Sequence, residues 1–194
     1  MYFSATIFQM LGFAIPTLTS LTVAGTNLVF TALALAVIDR VGRRRVLLWS
    51  IPVMIAGLLL SAYGFSRVHL PATLAEPAAD RGAARLILGS MMMYVAAYAV
   101  GLGNVPWMQS ELFGLGARGL GGGLATATNW AANFVVGLTF LPLLGALTPS
   151  GTFTLYAAVC AAGLALVARF YPETAGLSLE EAATLLEGDG WGVR

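Results

Sequence analysis

Apolar runs at residues 1–15, 18–38, 46–65, 86–109, 120–144 and 152–170 alternate with short polar or charged junctions along the whole chain. A helix that spans a bilayer takes about 20 mostly apolar residues. The last five runs reach that length, while the first is too short and reads as the second half of a helix. Composition points the same way, since 58% of residues are hydrophobic and 10% charged, where a soluble domain carries about 25% charged residues. The expectation is an all-α, integral, multi-pass membrane protein with a transmembrane half-bundle over residues 1–171.

The junctions set the orientation. Every basic residue is arginine, and four of them fall between Arg40 and Arg45. Arg40, Arg43, Arg44, Arg45, Arg118, Arg169 and Arg194 fall on one side of alternating spans, and Arg67, Arg81 and Arg85 on the other. Short loops rich in Lys and Arg stay in the cytoplasm, which puts the first set and the C-terminus inside and the long 66–85 loop outside. Residues 172–194 form a cytoplasmic tail. Within it, Ser178 and Glu181 have capping-box spacing, and Leu179, Ala182, Leu185 and Leu186 give the apolar stripe of a short amphipathic helix. No basic segment precedes the first apolar run, so it does not read as a signal peptide.

Several function classes drop out on composition. The basic residues outside 40–45 are scattered between membrane-length apolar runs, which argues against nucleic-acid binding. Cys160 is the single cysteine and lies in an apolar run, so no intrachain disulfide forms. His69 is the single histidine and falls in the external loop; no cluster has metal-ligand spacing, and the glycine run Gly119–Gly123 lacks the lysine of a phosphate loop. Neither an enzyme nor a cofactor or metal protein is expected.

The most informative stretch runs from Gly101 to Asn133. Gly101, Gly103 and Pro106 break helical regularity just before Trp107, and breaks of this kind are tolerated in membranes where neighbours or water satisfy the freed backbone. Thr126, Asn129 or Trp130, Asn133 and Gly137 recur at three and four residues and share one helical face, opposite Leu124, Ala131, Val135 and Leu138. Asparagines in membrane helices serve as glue between helices or line a solute path. Both readings stay open for Asn129, Asn133 and Asn27. For Trp107 an interfacial belt position stands against a place beside a polar cavity, which Tyr94 and Tyr98 could share; Met91–Met93 read as packing.

Charges at the cytoplasmic junctions also admit two readings. Asp39 with Arg43 or Arg44, Glu111 with Arg118, and Glu173 with Arg169 lie within reach of one another along the chain. They are solvated topology signals or, as a network, a latch between helix ends. A single exposed pair contributes only ~0–1 kcal/mol, so a latch needs several.

Asp39-Arg40-Val41-Gly42-Arg43-Arg44, Gly101-x-Gly103-x-Val105-Pro106-Trp107, Ser110-Glu111-Leu112-Phe113 with Arg118, Asn129-Trp130-x-x-Asn133-Phe134 and Pro172-Glu173-Thr174 occur in the order and spacing of the sugar porter family of the major facilitator superfamily. The resemblance covers essentially the whole chain and corresponds to the C-terminal six-helix half of such a porter with its first helix truncated. The opening MYFSATIFQMLGF and the wording GLGNVPW most resemble the fungal proton-coupled myo-inositol transporters.

The resemblance implies transport of a monosaccharide or cyclic polyol by alternating access between two six-helix halves, at the plasma membrane, with a proton as coupling ion and no other cofactor. Carried over by position, it puts Asn27, Trp107, Asn129 and Asn133 at substrate contacts and Asp39, Arg43, Arg44, Glu111, Arg118 and Glu173 in a cytoplasmic charge network. Leu102 and Asn104 stand where hexose carriers commonly have prolines, and Ala99 where many glucose carriers have a glutamate. Those departures favour a polyol such as myo-inositol. Ala175 replaces the usual basic residue after Glu-Thr. The N-terminal half is the implied partner, and the chain reads as a fragment of a secondary active transporter. The alternative is a non-transporting nutrient sensor, or a truncated half-transporter that acts only with a partner.

Overall fold

A computed structural model describes residues 6–7, 16–68, 81–108, 113, 116–174, 176–177 and 181, with backbone alone at 16–19, 39, 81, 107 and 108. The long loop from His69 to Asp80, Glu111 and nearly all of the expected tail helix lie outside the described residues. The described residues form helices and turns only, without a strand: α1 (Pro16–Val41), α2 (Arg43–Arg67), α3 (Arg81–Val100), a 3-10 turn (Leu102–Asn104), α4 (Val105–Met108) and α5 (Arg118–Phe170). The all-α architecture expected from the apolar runs is thus observed. Four helices, α1, α2, α3 and α5, are long and apolar enough to cross a membrane by length and composition.

Helix α5 has 53 residues and would extend about 80 Å if straight, more than twice the hydrocarbon thickness. It turns instead at Thr148, whose backbone sits at φ 63 and ψ 160. A residue before proline is pushed out of the helical region, and Thr148 precedes Pro149. The Thr148 hydroxyl then accepts a hydrogen bond from the Gly151 N–H at 3.4 Å. Thr148 is therefore the N-cap of the arm 149–170 and Pro149 its first residue, a pairing that proline's fixed φ favours.

Helix α2 is the centre of the bundle, packed against both α3 and α5, while α1 lies on α3. The α2–α3 contact is close because α2 presents small residues to it. A Cβ added at Gly57 would stand 3.0 Å from the Ser90 carbonyl oxygen, and one at Gly64 would press into the Ile87 side chain. Between them Ser61 and Ser90 hydroxyls meet at 2.8 Å, and Ser90 passes its own proton to the Ile87 carbonyl at 2.9 Å. Small residues that let backbones approach, with hydroxyls between, are how helices associate where water gives no driving force. Rings hold α5 in place: Phe65 of α2 stacks on Phe153 at 5.2 Å, and Phe140 on Tyr156 across the two arms at 6.3 Å. Ile87, Leu58, Ala62, Val95 and Ala157 fill the space among them.

Substitutions separate these contributions. Gly57→Leu and Gly64→Leu force α3 away from α2 and should each cost about 1–3 kcal/mol, the usual cost of overpacking. Ser61→Ala leaves Ser90 bonded to Ile87 and should cost under ~1 kcal/mol. Thermal unfolding of the detergent-purified protein measures both, and a Ser61→Ala effect as large as Gly57→Leu would mean that the hydroxyl pair, rather than close packing, holds the helices.

Candidate functional site

Helix α3 ends at a break that the sequence marks with glycine but does not explain. Gly101 leaves helical geometry at φ −104 and ψ −94, a single 3-10 turn follows, and α4 resumes at Val105. Ending a helix orphans its last carbonyls. Here Asn104, buried at 3% exposure, turns its amide back and donates to Ala99 O at 2.7 Å and Val100 O at 3.1 Å. Gly101 is required by contact as well, since a Cβ there would collide with the Ser50 hydroxyl. Tyr98 lies exposed beside the break, with its carbonyl oxygen 3.1 Å from where a Gly103 Cβ would sit. Tyr94 packs on the bundle core instead, so the two tyrosines do not share one environment. Trp107 is carried by α4, directly after the break, and its side chain lies outside the described residues.

The first arm of α5, residues 118–147, carries the polar face. Asn133 Nδ2 donates to Asn129 O one turn back at 3.0 Å, which fixes the two residues on one side of the helix. Both are exposed, and so are Trp130 at 61% and Phe134 at 70%. Asn27, on α1, is half-buried, and its side-chain Oδ1 accepts a hydrogen bond from the Thr31 hydroxyl at 3.4 Å. No hydrogen bond joins Asn27 to the α5 asparagines: α1 packs on α3 and α5 on α2. The structure thus brings Asn129 and Asn133 together and leaves Asn27 on a separate helix.

At the end of the bundle where α1 meets α2, the expected charge cluster takes a form that local spacing did not suggest. Glu173 does not pair with Arg169, whose guanidinium lies over the Phe170 ring at 5.9 Å. It reaches across 130 positions to accept a hydrogen bond from the Arg43 backbone N–H at 2.8 Å. A carboxylate at a helix N-terminus satisfies an orphan donor and opposes the positive end of the helix dipole. Gly42 permits the approach, with φ 102 and a Cβ position only 2.6 Å from the carboxylate oxygen. Arg44 Nη2 donates to Ala168 O at 2.8 Å, in the last turn of α5. Arg118 Nε donates to Phe113 O at 3.4 Å, while Glu111, its expected partner, and the Asp39 side chain lie outside the described residues.

Sequence reasoning missed Asn104, read only as a replaced proline, and Gly42, whose signal was its place between charged residues at a helix junction. Among the described residues no three His, Cys, Asp or Glu side chains form a group that could hold a metal ion. What the first arm of α5 presents is the amides of Asn129 and Asn133 beside the indole of Trp130, groups suited to hydrogen bonding with an uncharged polar solute.

Comparison with known proteins agrees with this composition of groups. Residues 1–186 match the family model described as Sugar (and other) transporter. Over its full length the chain is 46% identical to myo-inositol transporter 1 of Cryptococcus neoformans var. grubii and covers 35% of that protein. Over 98% of its length it is 44% identical to myo-inositol transporter 2 of Schizosaccharomyces pombe and covers 34% of it. The chain therefore spans about a third of the length of the curated relatives it matches. Among solved structures, the proton:xylose symporter XylE bound to 6-bromo-6-deoxy-D-glucose superposes with a TM-score of 0.79 at 28% identity, over 95% of this chain and 38% of the symporter. The inward-open XylE of E. coli gives 0.69 at 28% identity, over 93% of this chain and 40% of XylE. The chain belongs to the sugar (and other) transporter family, the sugar porters of the major facilitator superfamily, and is an integral, multi-pass membrane protein.

Proposed function

We propose that this chain is part of a secondary active transporter that moves a cyclic polyol, myo-inositol before other sugars, by alternating access. The observation that carries the reading is the exposed, amide-bearing face of α5, Asn129 with Asn133, on a chain 46% identical to a myo-inositol transporter. A polyol offers hydroxyls on every side, and one helical face can contact only one of them. The other wall is supplied by a second six-helix half, which the one-third coverage of relatives supports. In this reading residues 1–171 are the C-terminal half-bundle and 172–194 a cytoplasmic tail, with the protein at the plasma membrane. Asn27, Trp107, Asn129 and Asn133 contact substrate. Proton symport is supported by likeness to a proton:xylose symporter, and the proton is the only coupling partner invoked.

The cytoplasmic network of Asp39, Arg43, Arg44, Glu111, Arg118 and Glu173 acts in the same reading as a latch. Glu173 on the α2 N-terminus and Arg44 on the α5 C-terminus tie these two helix ends together. A ligand or gradient then shifts a two-state equilibrium by parting these bonds in one state and remaking them in the other.

The chain produced together with the portion of the Cryptococcus relative outside the matched segment should take up labelled myo-inositol, and a protonophore should abolish the accumulation. Trp107→Ala and Asn133→Ala should each lower kcat/KM about tenfold, the effect of losing one hydrogen bond or ring contact near 1.4 kcal/mol. Normal uptake by both variants would remove these residues from the substrate path, and no uptake by any pairing would favour the sensor or half-transporter reading. Glu173→Gln keeps the shape and weakens the charge-assisted bond. It should lower the maximal uptake rate several-fold while leaving KM within about twofold, because the latch sits away from the substrate. A change confined to KM would count against the latch.

A further inference from the structure

Helix α2 turns one stripe away from the bundle: Arg45, Trp49, Val53, Leu60, Tyr63 and Arg67 are all exposed and recur at helical spacing. At 1.5 Å per residue, Arg45 and Arg67 stand about 33 Å apart, close to the thickness of the hydrocarbon layer. The stripe is a lipid-facing surface with a cation and an aromatic ring at each end, but the two ends are not equivalent. At one end Arg67 is satisfied within the helix: it donates to the Tyr63 hydroxyl at 2.7 Å, and its guanidinium lies over the Tyr63 ring at 5.1 Å.

At the other end Arg45 makes no hydrogen bond or ion pair among the described residues, and its neighbour one turn on, Trp49, is 78% exposed. Guanidinium and indole N–H groups donate and do not accept. The pair is therefore a site made of donors alone, beside hydrocarbon. Among the described residues no carboxylate answers it. The Glu173 carboxylate takes the Arg43 backbone N–H and the Arg44 guanidinium takes the α5 C-terminus, while Arg40, at the end of α1, is exposed like Arg45. Arg45 also lies in the first turn of α2, where the helix dipole disfavours a cation, and Glu173 compensates that charge at Gly42 and Arg43 rather than at Arg45.

We propose that Arg45 and Trp49 form a docking site for the phosphate of an anionic phospholipid in the leaflet bordering the α1–α2 turn, with Arg40 adding positive potential. The phosphodiester supplies the acceptors that the site lacks, the net negative charge of the headgroup answers Arg45 and Arg40 where a zwitterionic headgroup would not, and the acyl chains lie along Val53 and Leu60. On the orientation proposed above this is the cytoplasmic leaflet, but lipid binding does not depend on transport and is tested without it.

The detergent-purified chain is titrated with palmitoyl-oleoyl phosphatidylserine or palmitoyl-oleoyl phosphatidylcholine and bound lipid is read by native mass spectrometry, with helicity checked by circular dichroism. Phosphatidylserine should bind at least about fivefold more tightly than phosphatidylcholine, and Arg45→Gln should remove about fivefold of its affinity, the contribution of one basic side chain at an anionic surface. Trp49→Phe keeps the ring and removes the N–H, and should weaken binding about two- to threefold. Arg67→Gln should leave it unchanged. Equal binding of the two lipids, or wild-type affinity in both Arg45→Gln and Trp49→Phe, overturns the proposal. An equal loss in Arg67→Gln overturns it too, by reducing the effect to unlocalised charge, as does displacement of the lipid by millimolar inorganic phosphate.

Discussion

Hydrocarbon offers no water to an unpaired backbone N–H or C=O, so each interruption of a spanning helix needs a partner from the protein. At three breaks in the described structure a polar side chain supplies that partner. At Gly42 the N-terminus of α2 takes the Glu173 carboxylate. At Gly101 the end of α3 takes the Asn104 amide. At Thr148 the second arm of α5 takes the threonine hydroxyl. The architecture follows from where these breaks fall and how each is closed.

The three closures differ in reach, and reach decides what they do. Thr148 acts on the residues immediately after it and does no more than reverse the chain. Asn104 acts four and five residues back and fixes a break between α3 and the segment carrying Trp107. A proline at the same place would interrupt the helix by lacking a donor, whereas asparagine interrupts it while supplying two. Glu173 acts at a distance of 130 positions, so the same bond that completes α2 also ties the chain after α5 to the α1–α2 turn. Local closure is a matter of folding alone; closure from afar makes one helix end conditional on the position of another.

This difference in reach is also what made part of the structure legible in the sequence and part not. The all-α class was readable because membrane thickness imposes a length on every apolar run, and the break after α3 was readable because Gly101, Gly103 and Pro106 have few other uses inside such a run. The side of α5 bearing Asn129 and Asn133 followed from their spacing. The partners of the breaks did not follow. Pairing Glu173 with Arg169 rested on nearness in sequence, and the structure prefers a backbone N–H on another helix, where the dipole adds to the hydrogen bond. Asn104 looked like an absent proline, because an amide that folds back onto its own helix leaves no periodic trace. Packing of α3 on α2 was hidden for a similar reason: Gly57 and Gly64 matter through atoms they lack.

The polar side chains of the first α5 arm share a pattern that bears on what they can bind. Thr128 donates to Leu124 O at 2.8 Å, Asn133 to Asn129 O at 3.0 Å and Thr139 to Val135 O at 2.7 Å. In each case one N–H or O–H is used within the helix and the side-chain oxygen keeps its lone pairs, while Asn133 retains its second amide N–H. Such back-bonding lowers the cost of a hydroxyl or amide beside hydrocarbon, which lets the arm remain helical while exposed. Thr128 and Thr139 lie on the other side of the arm from Asn129 and Asn133, whose own face keeps amide oxygens as acceptors and, as donors, the Asn129 amide and the second Asn133 N–H. A solute complementary to paired amides both donates and accepts hydrogen bonds and carries little charge, as hydroxyl groups do. A carboxylate or phosphate, which could only accept, would leave the amide oxygens unpaired and lose most of its hydration on reaching this face.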